Sequence, residues 1–188
     1  MSSTDSSLRV LGIAGSLRRG SFNRALIRAA LDLAPDGMMI ETFDLGPLPL
    51  FNADVEEQGD PLSVAEFKQA IRDAEALLIA TPEYNYGMPW VLKNALDWAS
   101  RPPESPLNNK PVAIMGASPG RTGTARSQLQ LRQTLQSTRS PTMPGPEVLV
   151  AQAHELVNED GVLTDDKTRQ YVAKLLEALA QWAARFKT

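Results

Sequence analysis

Five short apolar runs, separated by longer stretches of helical periodicity, constrain the fold of this chain more than any other feature. They cover residues 8–14 (LRVLGIA), 38–43 (MMIETF), 76–80 (ALLIA), 111–115 (PVAIM) and 147–151 (EVLVA). The first ends abruptly at a glycine, and the third is apolar throughout. A strand without polar alternation is one buried on both faces. After the first run, Leu26, Ala29, Ala30 and Leu33 recur at helical spacing from Phe22 until Pro35-Asp36-Gly37 breaks the pattern. Further helices are expected over 62–74, 89–98, 122–135 with Leu129, Leu131 and Leu135, and 167–186 with a stripe of Tyr171, Leu175, Leu179, Trp182 and Phe186. The proline-containing stretch 46–61 reads as a long surface connection, and 141–146 as loop. Apolar strands alternating with amphipathic helices specify an α/β fold with a parallel sheet covered on both faces. Ligands of such sheets sit beyond the C-terminal strand ends, near a change of strand order. The loops after the first, third and fourth runs are polar or glycine-rich, so they converge there despite their separation in sequence.

The 188 residues suit one domain spanning 1–188, with 1–7 as a flexible, polar N-terminal segment. The chain has no cysteine, which excludes thiolate nucleophiles, Fe–S ligation and redox-active dithiols. Any redox chemistry must therefore come from a bound cofactor. His154 is the only histidine, too few for the His clusters of common zinc sites, and its polar surroundings suggest the surface; no metal is expected. Net charge is -3 and Lys and Arg are not clustered, so no nucleic acid partner is expected. No apolar run approaches a membrane span, and the N-terminus lacks a signal-peptide profile, so a cytoplasmic protein without membrane insertion is expected.

Residues 15–23, GSLRRGSFN, carry the clearest chemistry. Two glycines permit tight turns, and the loop runs into a helix whose free N–H groups attract anions. Ser16, Ser21 and Asn23 add neutral donors, and Arg18 adds a charge-assisted one. Gly15 and Gly20 have the outer spacing of a Walker loop, but Ser21 stands where that motif needs lysine, and the Gly-x-Gly-x-x-Gly dinucleotide fingerprint is absent. What remains is a cradle for one phosphate monoester.

With residues 15–18 and 21–23, Pro82-Glu83-Tyr84-Asn85 followed by Pro89 and LKNALDW at 92–98, and Gly116-Ala117-Ser118 with Gly120, Gly123 and Arg126, the chain resembles the NAD(P)H-dependent FMN reductase family, in its branch of soluble quinone, chromate and azo-compound reductases. The resemblance spans Val10 to Ala151. It implies a flavodoxin-like three-layer sandwich with a five-stranded parallel sheet of order 2-1-3-4-5. It assigns Ser16, Arg18, Ser21, Phe22 and Asn23 to the FMN phosphate, and Pro82, Glu83, Tyr84 and Asn85 to the isoalloxazine and ribityl side. Ser118 and Gly120 belong to a third flavin-facing loop. Hydride would pass from NADPH or NADH to N5 of the flavin, and electrons would then leave from the same face, a ping-pong sequence without a side-chain nucleophile. Acceptors of this kind include quinones, chromate, ferric complexes, azo compounds and free flavin. Glu83 need not act as a general base and is equally compatible with a contact at a helix N-terminus or with a surface role. For a 2′-phosphate on the donor, Arg19 and Arg101 are the candidates. The resemblance also implies a homodimer or homotetramer, with Tyr86, Arg126 and Glu147 at positions of inter-subunit contact. A flavodoxin-like electron carrier without its own turnover is the alternative, since folds host several functions.

Overall fold

The computed structural model describes residues 7–186. Of the expected flexible segment 1–7, all but Ser7 lies outside the described residues. Five parallel strands, β1 (Leu8–Ala14), β2 (Met38–Phe43), β3 (Ala76–Ala80), β4 (Val112–Ala117) and β5 (Val148–Val150), form one sheet in the order β2-β1-β3-β4-β5. This is the order that the resemblance implied.

The three central strands explain why their sequences lack polar alternation. In β3, Ala76, Leu78 and Ala80 pack into one apolar layer while Leu77 and Ile79 pack into the other. β4 divides the same way, with Ala113, Met115 and Ala117 against Val112 and Ile114. The first layer is completed by helices α1 (Phe22–Asp32) and α7 (Asp166–Ala183), and the second by α3 (Leu62–Asp73), α4 (Trp90–Ala99) and α5 (Ala125–Ser137). Each fully buried Leu or Ile contributes about 1.5–3 kcal/mol relative to exposure. Two such layers hold the strand ends, and therefore the loops, in fixed relation.

Several expectations need correction. On α7 the buried face is Val172, Leu175, Leu176, Leu179 and Ala183, whereas Tyr171 is exposed and Phe186 lies in a closing 3-10 turn (Ala184–Phe186). The stripe is rotated because the β-branched and leucine pairs at i, i+3 and i+4 fill the space over β4 and β5. On α5, Leu131 and Leu135 are buried but Leu129 is 68% exposed. The 46–61 connection is not simply surface: it contains a short helix α2 (Ala53–Glu56), and it buries Leu48. Its anchor is α4, where Asn94 Nδ2 and Trp98 Nε1 both donate to the Pro49 carbonyl at 2.9 Å and Asn94 Oδ1 accepts from Phe51 N at 2.7 Å. Two residues of the LKNALDW motif thus fasten a neighbouring segment. A second short helix, α6 (Ala153–Leu156), carries the exposed His154. No described helix is long and apolar enough to cross a membrane.

Candidate flavin site

The register brings three loops to one edge. Ala14 pairs with Ala80 and Ala80 with Met115, and the ladder continues into the loops through Gly15 N to Ala80 O (2.8 Å) and Thr81 N to Met115 O (3.0 Å). Gly15 lets the first loop approach the second loop and α4 closely, because a Cβ there would stand 3.2 Å from both Pro82 and Leu92.

The first loop divides its polar groups between holding itself and facing outward. Ser21 is the N-cap of α1, accepting from Asn23 N (3.2 Å) and Arg24 N (3.4 Å). Asn23 makes a closed pair with the end of β4: Nδ2 donates to Ala117 O and Oδ1 accepts from Ala117 N, both at 2.9 Å. Its side chain is a tie between two loops, buried and fully engaged. Arg24 braces the loop from behind, with Nε on the Ser16 carbonyl at 3.0 Å and Nη2 on Asp44 at 3.0 Å.

The backbone N–H groups of Ser16, Leu17, Arg18, Arg19, Gly20 and Phe22 have no acceptor among the described residues. Ser16 is buried, yet its hydroxyl makes no hydrogen bond there. No buried side-chain polar atom among the described residues is unsatisfied, so this hydroxyl opens to solvent. Arg18 curls onto its own loop, donating to Gly20 O at 2.9 Å, with its guanidinium 5.7 Å from the Phe22 ring. A run of free N–H groups with a hydroxyl and a guanidinium at a helix start fits a phosphate monoester.

Pro82 to Pro89 forms a tight hairpin. Tyr84 and Gly87 bond to each other in both directions, at 3.1 and 2.8 Å, around Asn85 (φ 49) and Tyr86 (φ 66). Two consecutive left-handed residues define a type I′ turn, normally Asn-Gly, so a tyrosine in the second place is strained. Tyr84, Asn85 and Tyr86 are exposed, and the N–H groups of Glu83, Asn85 and Tyr86 are unpartnered among the described residues. The Glu83 side chain turns away to the N-terminus of α5 and the Arg126 guanidinium, 2.9 Å away. Arg126 also lies over the Tyr86 ring at 3.9 Å. Tyr86 and Arg126, expected at subunit contacts, therefore meet within one chain. Glu147 is exposed at the start of β5 and touches neither by any polar contact.

In the third loop the Ser118 hydroxyl donates to Gly123 O at 2.5 Å and accepts from Gly120 N at 3.2 Å, which rounds the turn. Gly120 itself is exposed. Arg101 is far from this edge in role: it binds both Glu56 oxygens at 2.8 and 3.0 Å and stacks 5.4 Å from Phe51. Of the two candidates for a 2′-phosphate only Arg19 is exposed without a partner among the described residues. A groove of about 730 Å³ runs between the C-terminal ends of α4 and α5, but its Ser100, Ser105, Ser137 and Thr138 hydroxyls all donate to backbone carbonyls.

A parallel three-layer sandwich with a phosphate-receptive loop at the strand-order switch defines a nucleotide- or flavin-binding α/β protein. The family model described as NADPH-dependent FMN reductase matches residues 8–155, and the chain belongs to that family. It is 51% identical over 180 residues to the NAD(P)H-dependent FMN reductase of Pseudomonas aeruginosa, covering 96% of this chain and 97% of the relative. A 2-hydroxy-1,4-benzoquinone reductase of a Burkholderia species is 41% identical over 176 residues, covering 93% and 96%. The solved flavoenzyme NAD(P)H:(acceptor) oxidoreductase FerB from Paracoccus denitrificans superposes with a TM-score of 0.86 at 34% identity, covering 95% of this chain and 98% of that one. The protein is thus a flavin-dependent oxidoreductase that binds FMN and takes electrons from a reduced nicotinamide.

The residues that sequence reasoning missed are Arg24, Ser127 and Gln130. Each acts by bracing a loop from a helix, and only burial of a polar side chain in an apolar helical stripe, as at Ser127, could have signalled it.

Proposed function

We propose that this enzyme passes electrons from NADPH or NADH to quinone-type small acceptors, and that the FMN phosphate rests in the first loop. The observation that carries the placement is the set of unpartnered N–H groups over residues 16–20 beside the open Ser16 hydroxyl. Arg18 would exchange its internal bond to Gly20 O for a charge-assisted one to the phosphate. Pro82, Tyr84 and Asn85 would line the ring and ribityl side, with Ser118 and Gly120 opposite. Bound FMN supplies two-electron chemistry that no side chain here supplies. The protein's part is to bind, orient and leave one side open. Asn23 fixes the distance between first and third loops, and Ser21 keeps the start of α1 ordered. The unpartnered N–H groups of the hairpin favour negative charge at its inner rim.

Relatives named for quinone reduction support the acceptor class, as does the exposed hairpin, which presents tyrosines rather than a charged docking face. Exposed Tyr86, Trp90 and Leu129, on the turn and on the helices beside it, support pairing of two copies.

The test is anaerobic bleaching of the visible flavin band by NADPH or NADH, followed by a quinone. Repeated reoxidation supports the enzyme; binding of FMN without nicotinamide reduction overturns it in favour of a carrier. Arg18→Ala weakens FMN binding about ten- to a hundredfold, the range of one charge-assisted hydrogen bond. An unchanged FMN affinity places the phosphate elsewhere.

A further inference from the structure

We propose that the Glu83 side chain positions rather than binds: its carboxylate, turned away from the cofactor, caps α5 and thereby sets the shape of the Tyr84–Gly87 turn at the mouth of the site. The inference rests on the reading that this mouth admits the acceptor.

Helix α5 begins without a cap of its own, since Thr124 makes no side-chain cap bond. Glu83, from a loop 43 residues away, fills that place. Its Oε2 accepts from Arg126 N at 2.9 Å and Ser127 N at 3.2 Å, and its Oε1 accepts from Arg126 Nη1 at 2.9 Å. The side chain is only 8% exposed. A carboxylate has about four lone-pair sites, and three are filled here by donors from α5. A side chain held by three donors does not turn toward a substrate.

The turn needs this help. Its own two cross-bonds surround two non-glycine left-handed residues, and left-handed backbone costs a residue with a Cβ about 1–2 kcal/mol. α5 supplies the compensation from four places. Besides the Glu83 cap, Ser127 Oγ donates to Pro82 O at 2.7 Å, Gln130 Oε1 accepts from Met88 N at 2.7 Å, and Arg126 covers the Tyr86 ring. Charge-assisted bonds are roughly twice as strong as neutral ones, so Glu83 and Arg126 dominate. The tip residues Tyr84 and Asn85 then project in a direction that α5 decides.

Amide hydrogen exchange on the apoprotein reads the turn directly. Glu83→Ala should speed exchange at the bonded amides of Tyr84, Gly87 and Met88 by about tenfold, the loss expected for a helix cap. Glu83→Gln, whose oxygen still accepts from both backbone N–H groups, should recover most of it. Glu83→Asp keeps the charge but falls short of α5, so it should follow alanine, and it serves if the alanine variant is insoluble. In the FMN-loaded protein, Glu83→Ala should raise the quinone KM by about tenfold with kcat and FMN affinity within about threefold. FMN affinity falling as far as in Arg18→Ala would mean that Glu83 contacts the cofactor, and unchanged exchange would mean that it does not hold the turn; either overturns the proposal. Failure of the wild-type protein to bind FMN or to reduce a quinone would instead overturn the function, while the exchange measurement still judges Glu83.

Discussion

Two helices start at the same edge of the sheet and are finished in opposite ways. α1 is capped by Ser21, a neutral hydroxyl from its own loop, and the N–H groups just before it stay open. α5 is capped by Glu83, an anion from another loop, so its positive end is already neutralised from within. A helix N-terminus is an anion site only if the fold leaves it one. Here the fold reserves α1 for a ligand and uses α5 to hold the wall beside it. The glycines of the two regions differ accordingly: Gly20 in the first loop stands open with only the end of Arg18 near it, and Gly116 below α5 allows close packing on the Thr81 backbone and on Thr124.

Alanine at Gly116 should give the largest effect. Its Cβ would collide with Thr124 Oγ1 and with the carbonyl of Thr81, the residue whose N–H extends the β3 ladder to Met115 O. Forcing those elements apart should cost about 4 kcal/mol or more, seen as loss of soluble protein or a melting point lowered by about 10 °C or more. Gly20→Ala in the first loop meets only the end of Arg18, at 3.3 Å, and should melt like wild type. Equal loss in both variants would remove the contrast between a rigid region and an open one.

Asn23→Ala should come next, because this residue joins the two regions. Removing it leaves the buried Ala117 N–H and C=O without partners, at about 1–3 kcal/mol each. A melting point lowered by about 5–15 °C is expected for a chain of this size, together with weaker FMN binding as the loops drift apart. Weaker FMN binding at unchanged stability would instead return Asn23 to the role of a direct ligand.

How much of this was legible in the sequence follows from the range of each interaction. Strands buried on both faces show their nature locally, so β1, β3 and β4 and the loops at their ends could be read from apolar runs and glycine stops. The Ser21 cap is equally local, two and three residues from its partners, yet Ser21 was read only as a donor to the phosphate. Asn23 and Ala117 are 94 residues apart, and Glu83 and Arg126 are 43 apart, so sequence showed polar residues in suggestive loops without showing that they face each other. The α5 and α7 stripes were misread because apolar residues occupy more than one face. Leu129 and Tyr171 share the periodicity of their helices yet lie outside the core, and only the packed neighbour decides which face wins. Prolines in 46–61 signalled irregular chain, but not that Asn94 and Trp98 would pin it.

A smaller loss is expected where the comparison is most direct, at the α1 cap. Ser21→Ala removes the acceptor for Asn23 N and Arg24 N and should destabilise by about 1 kcal/mol, shifting the melting point by about 2–4 °C. FMN binding should weaken with it, since a frayed first turn no longer presents its N–H groups. Glu83→Ala may be set beside it as the matched cut at α5, where the acceptor KM should move instead. Thermal shift and flavin fluorescence titration on both variants separate the regions; a common response in FMN affinity would show that the two caps serve one site alike.

The smallest effect tests whether strain at the turn has been offset. Tyr86→Gly relieves the left-handed backbone at φ 66, worth about 1–2 kcal/mol, and gives up the ring under Arg126, worth about 0.5–1 kcal/mol at an exposed site. Glycine also adds freedom to the unfolded chain, which opposes the gain. These contributions nearly cancel, so stability should stay within about 1 kcal/mol of wild type in denaturant titration. A large loss would mean that the ring, rather than the α5 cap, holds the turn, and the division between a ligand-facing α1 and a wall-holding α5 would then pass through Arg126 and Tyr86 instead of Glu83.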